Sequence, residues 1–195
     1  MTMLENITFY KLILASASPR RKELLSGLYL DFEVRLIDDI DESYDPTLQA
    51  EAIPLAIAKK KAEAYMPTLA NNELLITADT IVWTESTVLG KPKNREEAIQ
   101  MLKRLSGKEH QVITGVTIAT KEKEQRFSVT TDVTFTALTA EEITYYVDKY
   151  KPYDKAGGYG IQEWIGYVGV SSIKGSYFNV MGLPIQRLYQ ELKHF

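Results

Sequence analysis

One carboxylate stands where hydrocarbon is expected. Asp79 lies inside LLITADTIVW, with apolar neighbours on both sides. Burial strips an ionised carboxylate of its hydration unless the group is paired, hydrogen-bonded or bound to a metal. An aspartate at a strand end, bonded to backbone N–H groups, meets the same requirement, so Asp79 alone does not define a site. Other charged residues widen the case. Arg20 and Arg21 follow two serines in LASASPRRKELL; Lys59, Lys60 and Lys61 are consecutive in AKKKAEA; Lys91 stands between Gly90 and Pro92; Glu42 belongs to the acidic stretch DDIDESYDP. Each also reads as an ordinary solvated charge. Taken together, the cations neutralise phosphate, and carboxylates hold Mg²⁺ or Mn²⁺ or position a water. That set suits metal-assisted hydrolysis of a phosphoanhydride.

Other chemistries lack their residues. His110 and His194 are the only histidines and neither sits in a recognisable motif, which argues against a Ser-His triad or a His-ligated zinc. There is no GxxxxGK[ST] and no GxGxxG. The second aspartate that a haloacid-dehalogenase phosphatase carries two residues after its first is replaced by Ile81. Cysteine is absent, which removes disulfides, thiolate metal sites and cysteine nucleophiles. A net charge of −3 gives no general attraction to nucleic acid or anionic membrane, so an anion site must be a local concentration of Lys and Arg. No apolar run approaches a membrane span and the first ten residues do not form a signal peptide, so a cytoplasmic protein is expected.

Local signals place these residues on elements. Leu12 to Ala15 is a short strand; Ser18 is a helix cap with Pro19 at the first helical position, and Leu24, Leu25 and Leu28 repeat at helical spacing up to a stop near Gly27. Arg20 and Arg21 therefore occupy the first turn, the positive end of the helix dipole. Pointing into water there costs about 1 kcal/mol or less, whereas a bound anion would reverse the sign. DFEVRLI alternates as a half-buried strand with Phe32, Val34 and Leu36 on one face. A helix follows around Pro54 to Met66, then the strand ELLITADTIVW and a hairpin at Glu85-Ser86. Asn94 with Glu97, and Thr139 with Glu142, read as capping boxes that open helices. Between those helices lie two long strands, HQVITGVTIAT and FSVTTDVTFTAL. The Gly-rich YDKAGGYGIQEW leads to a hairpin-like segment and a last helix from Pro184. The expected fold is α/β, a single mixed twisted sheet flanked by helices in one domain spanning 1–195.

With these stretches in view, the sequence resembles the Maf family of nucleoside triphosphate pyrophosphatases nearly end to end. SASPRR, AKKKA, ADTIV, LGKP, LSGKEHQVITGV and YDKAGGYGIQ fall in the family's order and spacing. The resemblance implies a Maf/ITPase-like fold with two lobes around a substrate cleft, often a homodimer. It implies a divalent metal cation and cleavage between the α- and β-phosphates. By position, Asp79 would be the proton acceptor and a metal-associated acid, and Glu42 the second acid near the metal. Ser16, Arg20, Arg21, Lys61 and Lys91 would line the triphosphate site. The dTTP/UTP-type members pair Asp-Thr with Ile-Gln, here Asp79-Thr80 and Ile161-Gln162, which makes Arg20, Thr80 and Gln162 the specificity residues. Two positions depart from the family pattern: Glu163-Trp164 stands where Gly usually follows the Gln, and Thr77 where Gly is common. The competing readings are a pyrophosphatase for purine or 7-methyl-GTP substrates and a nucleotide-binding regulator of division or septation.

Overall fold

Backbone pairing turns the alternation of apolar runs and capped segments into one mixed sheet. The computed structural model describes residues 3–195. In chain order the elements are β1 (Lys11–Leu14), α1 (Pro19–Ser26), β2 (Phe32–Val34), α2 (Ala52–Tyr65), β3 (Glu73–Thr84), β4 (Thr87–Leu89) and α3 (Arg95–Leu105). Then come β5 (Glu109–Ala119), β6 (Glu124–Phe135), α4 (Ala140–Tyr150), α5 (Trp164–Gly169), β7 (Val170–Lys174), α6 (Tyr177–Met181) and α7 (Ile185–His194). The strand order is β2-β1-β3-β5-β6-β7, with β4 also paired to β3. β1 runs parallel to β2 and β3, whereas the β3–β4 and β6–β7 pairs are antiparallel. Among the described residues no helix is long and apolar enough to cross a membrane.

The chain forms two compact units. The first comprises Met1–Asp79, Thr114–Val129 and Gly182–Phe195; the second comprises Thr80–Ile113 and Thr130–Met181. In the first, α2 buries Ala62 and Tyr65 among Ile13, Ala15, Leu69 and Leu75. Each large apolar side chain so enclosed contributes about 1.5–3 kcal/mol. α2 starts at Ala52, so Pro54 falls in the first turn, where a missing N–H forfeits no helical bond. Two contacts set the helix on the sheet. Gly115 of β5 lies so close to α2 that a Cβ there would stand 2.4 Å from the Pro54 carbonyl carbon and 2.5 Å from the Leu55 nitrogen. Buried Thr77 of β3 donates its hydroxyl to the Ala58 carbonyl at 2.6 Å.

In the second unit, side-chain caps open α3 and α4. Thr139 and Glu142 make the full reciprocal capping box at α4. At α3 the Asn94 side chain caps the Glu97 N–H, but the Glu97 carboxylate takes the N–H of Lys93, one residue earlier than a reciprocal box requires. Glu85 and Ser86 form the expected hairpin, both with left-handed φ (50° and 57°).

Two expected strands differ. DFEVRLI pairs only over Phe32–Val34, and Val34 and Leu36 are exposed. β1 ends at Leu14, so beyond the bond from Arg35 N–H to Leu14 C=O there is no ladder to continue. Tyr65 then captures the chain by donating to Arg35 C=O and accepting from Ile37 N–H. The hairpin-like segment after the Gly-rich loop is instead helix α5, strand β7 and helix α6. Gly166 decides this: with a Cβ it would sit 1.8 Å from the Ile161 carbonyl oxygen, and its N–H bonds Glu163 C=O at 2.9 Å.

Candidate functional site

β3 is buried from Glu73 to Ala78, opens at Asp79 and Thr80, and closes again at Ile81 and Val82. The strand thus presents its one acidic side chain beyond Glu73 at a break in the core. Asp79 is 14% exposed, and its Oδ1 lies 2.8 Å from Lys61 Nζ. The same ammonium lies 2.9 Å from Glu42 Oε1. Lys61 reaches both because Gly115 and Thr77 fix the height and rotation of α2 about two turns and one turn before it, respectively. Its neighbours go elsewhere: Lys59 pairs with Glu63 along the helix, and Lys60 turns to the acidic loop.

That turn of Lys60 holds Glu42 in place. Lys60 Nζ donates to Asp41 Oδ2 at 3.0 Å and to the Ser43 carbonyl at 2.6 Å, gripping the residues on both sides of Glu42. Asp41 is pulled down to about 2, mainly by hydrogen bonds from Ser43 and then by Lys60. Upstream, Arg35 forms a bidentate pair with buried Glu73 at 2.9 and 2.6 Å. The loop carrying Glu42 is therefore anchored at its entrance and at its middle.

α1 brings in the arginine pair. Ser18 caps the Arg21 N–H, and Ser16 Oγ accepts the Ser18 N–H at 3.3 Å. Arg21 folds back over the sheet: Nε donates to Gly182 C=O and Nη1 to Ala78 C=O, both at 2.8 Å, with a longer contact of 3.4 Å to Ser16 Oγ. Burial pushes its pKa below the usual arginine value; Asp79 opposes that shift, Arg20 adds to it and Glu42 opposes it. The protein itself thus supplies backbone acceptors to Arg21. Arg20 is half-buried in the same first turn. Two carboxylates and three cations consequently meet in the first unit, where Ser16, Arg20, Arg21, Glu42, Lys61 and Asp79 all reside.

Thr80, Lys91 and Gln162 belong to the second unit. Thr80 continues β3 as its second half-buried position. Lys91 is exposed beside a cavity of about 330 Å³ that Glu97, Gln100 and Arg104 also line. Its loop is tied to the Gly-rich loop by the bond from Gly157 N–H to Gly90 C=O at 3.0 Å. Gln162 is the third residue of a turn closed by Glu163 N–H to Gly160 C=O at 3.0 Å. The sequence reading did not single out Lys60, Gly115 or Thr77 as positioning residues. Gly115, an isolated glycine within an apolar strand, did carry a signal of close backbone approach.

The donor set accords with a hard divalent cation. Among the described residues no group of three or more His, Asp or Glu side chains forms a protein-only cage. Asp79 and Glu42 nevertheless converge on one ammonium, so their oxygens share a neighbourhood. Mg²⁺ is commonly held in this way, by one or two carboxylates with substrate phosphates and water completing its shell.

Comparison with known proteins bears on the whole arrangement. The family model described as Maf-like protein matches residues 11–195. A Parabacteroides distasonis protein named dTTP/UTP pyrophosphatase is 67% identical over 193 residues, 99% of this chain and 100% of that protein. A Bacteroides fragilis protein of the same name is 62% identical over 191 residues, 98% of this chain and 99% of its own. Among solved structures, a HAM1 protein from Coxiella burnetii shares the fold, with a TM-score of 0.50 at 12% identity over 95% of this chain and 100% of that one. Similarity of this extent, over the segments that build the Asp79–Lys61–Glu42 arrangement, places the chain in the Maf family.

Proposed function

We propose that this chain hydrolyses dTTP and UTP between the α- and β-phosphates, releasing the nucleoside monophosphate and pyrophosphate. The observation that carries the reading is the Lys61 ammonium bridging Asp79 and Glu42, in a chain 62–67% identical to proteins named for that activity. Asp79 accepts a proton from the water that attacks the α-phosphorus; the bond to the bridging oxygen breaks and pyrophosphate leaves. Lys61 orients both carboxylates. Ser16, Arg20 and Lys91 meet the phosphate oxygens, where charge-assisted hydrogen bonds are strongest. Arg21 adds its charge and holds Ala78, the residue before Asp79, in position. Asp79 and Glu42 are the residues that would hold Mg²⁺ or Mn²⁺. When bound, such an ion polarises the scissile phosphoryl group. Thr80 and Gln162 read the base, since an amide both donates to and accepts from a pyrimidine edge. Residues 1–195 act as one domain in this reading, and the protein works as a homodimer in the cytoplasm.

The test incubates purified protein and Mg²⁺ or Mn²⁺ with dTTP, UTP, CTP, dATP, GTP and 7-methyl-GTP, with Asp79→Asn in parallel. Monophosphate and pyrophosphate, formed fastest from dTTP and UTP, are expected, with at least a ~100-fold loss in Asp79→Asn. Orthophosphate as the first product would show that a different bond is cleaved.

A further inference from the structure

Glu163 puts a negative charge immediately after the glutamine that meets the base. Within the second unit that charge is taken up by two partners. Glu163 Oε1 lies 3.1 Å from Lys155 Nζ, and Oε2 accepts from the Tyr146 hydroxyl. The Tyr146 oxygen in turn accepts the Gly160 N–H at 2.9 Å. Tyr146 is fully buried, and Lys155 is only 11% exposed, its ammonium also 2.7 Å from Asp154 Oδ1. Burial, reinforced by Glu163, raises the Tyr146 phenol above its ordinary pKa, so it remains a donor.

These three side chains surround the turn that carries Gln162. A Cβ on Gly160 would meet the Glu163 carboxyl group and Lys155 Cε at 3.0 Å, so the network packs directly on the first residue of the turn. Glu163 N–H closes the turn onto Gly160 C=O, and Gly166 abuts the Ile161 carbonyl from the other side. The residues on both sides of Gln162 are thereby held while its own side chain stays half-exposed.

We propose that Glu163, clamped by Lys155 and Tyr146, is a positioning residue that sets the direction of the Gln162 amide and so determines pyrimidine selectivity. The proposal rests on the pyrophosphatase reading above. It turns an acidic residue beside the base into a brace, whose charge is spent on the protein and not on the substrate.

The experiment measures kcat and KM of wild type, Glu163→Ala, Glu163→Gln and Lys155→Met on dTTP, UTP, CTP and dATP, with tripolyphosphate inhibition as a base-free probe. In Glu163→Ala the KM for dTTP and UTP is expected to rise about tenfold, the scale of one misdirected hydrogen bond. The KM for CTP and dATP moves less, so selectivity falls, and tripolyphosphate inhibition is unchanged. Glu163→Gln, which keeps an acceptor for Tyr146, shifts in the same direction by less, and it reads the proposal should the alanine variant fail to fold. Lys155→Met reproduces the selectivity loss and is not additive with Glu163→Ala. Folded variants with wild-type selectivity would overturn the proposal, as would parallel weakening of nucleotides and tripolyphosphate. Wild type that releases no pyrophosphate from any nucleotide would instead sink the pyrophosphatase reading, and the brace with it.

Discussion

Replacing Gly115 with alanine tests how the sheet places Lys61. The added methyl would lie 2.4, 2.5 and 2.6 Å from the Pro54 carbonyl carbon, the Leu55 nitrogen and the Pro54 oxygen. All three atoms are backbone, so no side-chain rotation relieves the overlap. Ordinary contact begins near 3.4 Å, which leaves the pair about 1 Å too close. β5 is an interior strand of the sheet, so α2 is the element that gives way. Overpacking of this kind costs about 1–3 kcal/mol. The displaced helix carries Lys61 away from Asp79 and Glu42, now 2.8 and 2.9 Å from its ammonium. A misplacement of about 1 Å at reacting groups costs on the order of 100-fold in rate. Urea denaturation and pyrophosphate release measured on one preparation would read both effects. Gly90→Ala, whose Cβ would have no atom within 4 Å, serves as the stability control. A Gly115→Ala protein with wild-type urea midpoint and kcat would refute the reasoning. Lost stability with intact turnover would show that α2 does not set the Lys61 geometry.

Three further outcomes follow from the same structure. Arg21→Ala removes two charge-assisted bonds to the Ala78 and Gly182 carbonyls and should cost about 3 kcal/mol of stability as well as activity. Arg20→Ala should lose pyrophosphate release; wild-type turnover in that variant would remove Arg20 from the phosphate site. His110 is buried against Tyr159 and Phe135, and desolvation pushes its pKa down to about 4. The unfolded chain therefore binds the extra proton first. The associated stability is complete above the unfolded pKa of about 6.5 and falls as pH drops towards 4, by about 3 kcal/mol in all. Urea midpoints should decline over that window and do so less in His110→Gln, whereas matching slopes would exclude His110 as the cause. Chelation with EDTA should abolish turnover, reversibly with Mg²⁺ or Mn²⁺, and leave the melting temperature unchanged, because the described residues form no protein-only metal cage; a large drop in melting temperature would point to a structural ion.

Local chemistry was legible because it acts within a few residues. Ser18 caps α1 and Thr139 with Glu142 caps α4, as their spacing required, since a capping side chain needs only the next turn. Glu85-Ser86 turns the β3–β4 hairpin for the same reason. The mixed α/β class followed from the alternation of periods. DFEVRLI showed the limit: its alternation was real, but a strand extends only as far as a neighbour offers hydrogen-bond partners, and β1 stops at Leu14.

The site divides along the same line. An aspartate in an apolar run, a lysine triplet and an arginine pair at a helix start were visible as anomalies of charge and burial. Spacing alone left three equivalent lysines on one helical turn; Lys61 came from family resemblance. Its contact with Asp79 depends on the rotation of α2, set by Gly115 of a strand more than fifty positions later in the numbering and by the Thr77 bond to Ala58. Likewise the two carbonyls that receive Arg21 belong to Ala78 and Gly182, and the charge of Glu163 is answered by Tyr146 and Lys155. By itself the sequence determined which groups needed a partner, because desolvation follows from the immediate neighbours; tertiary structure alone decided which partner each received, because that depends on residues distant along the chain.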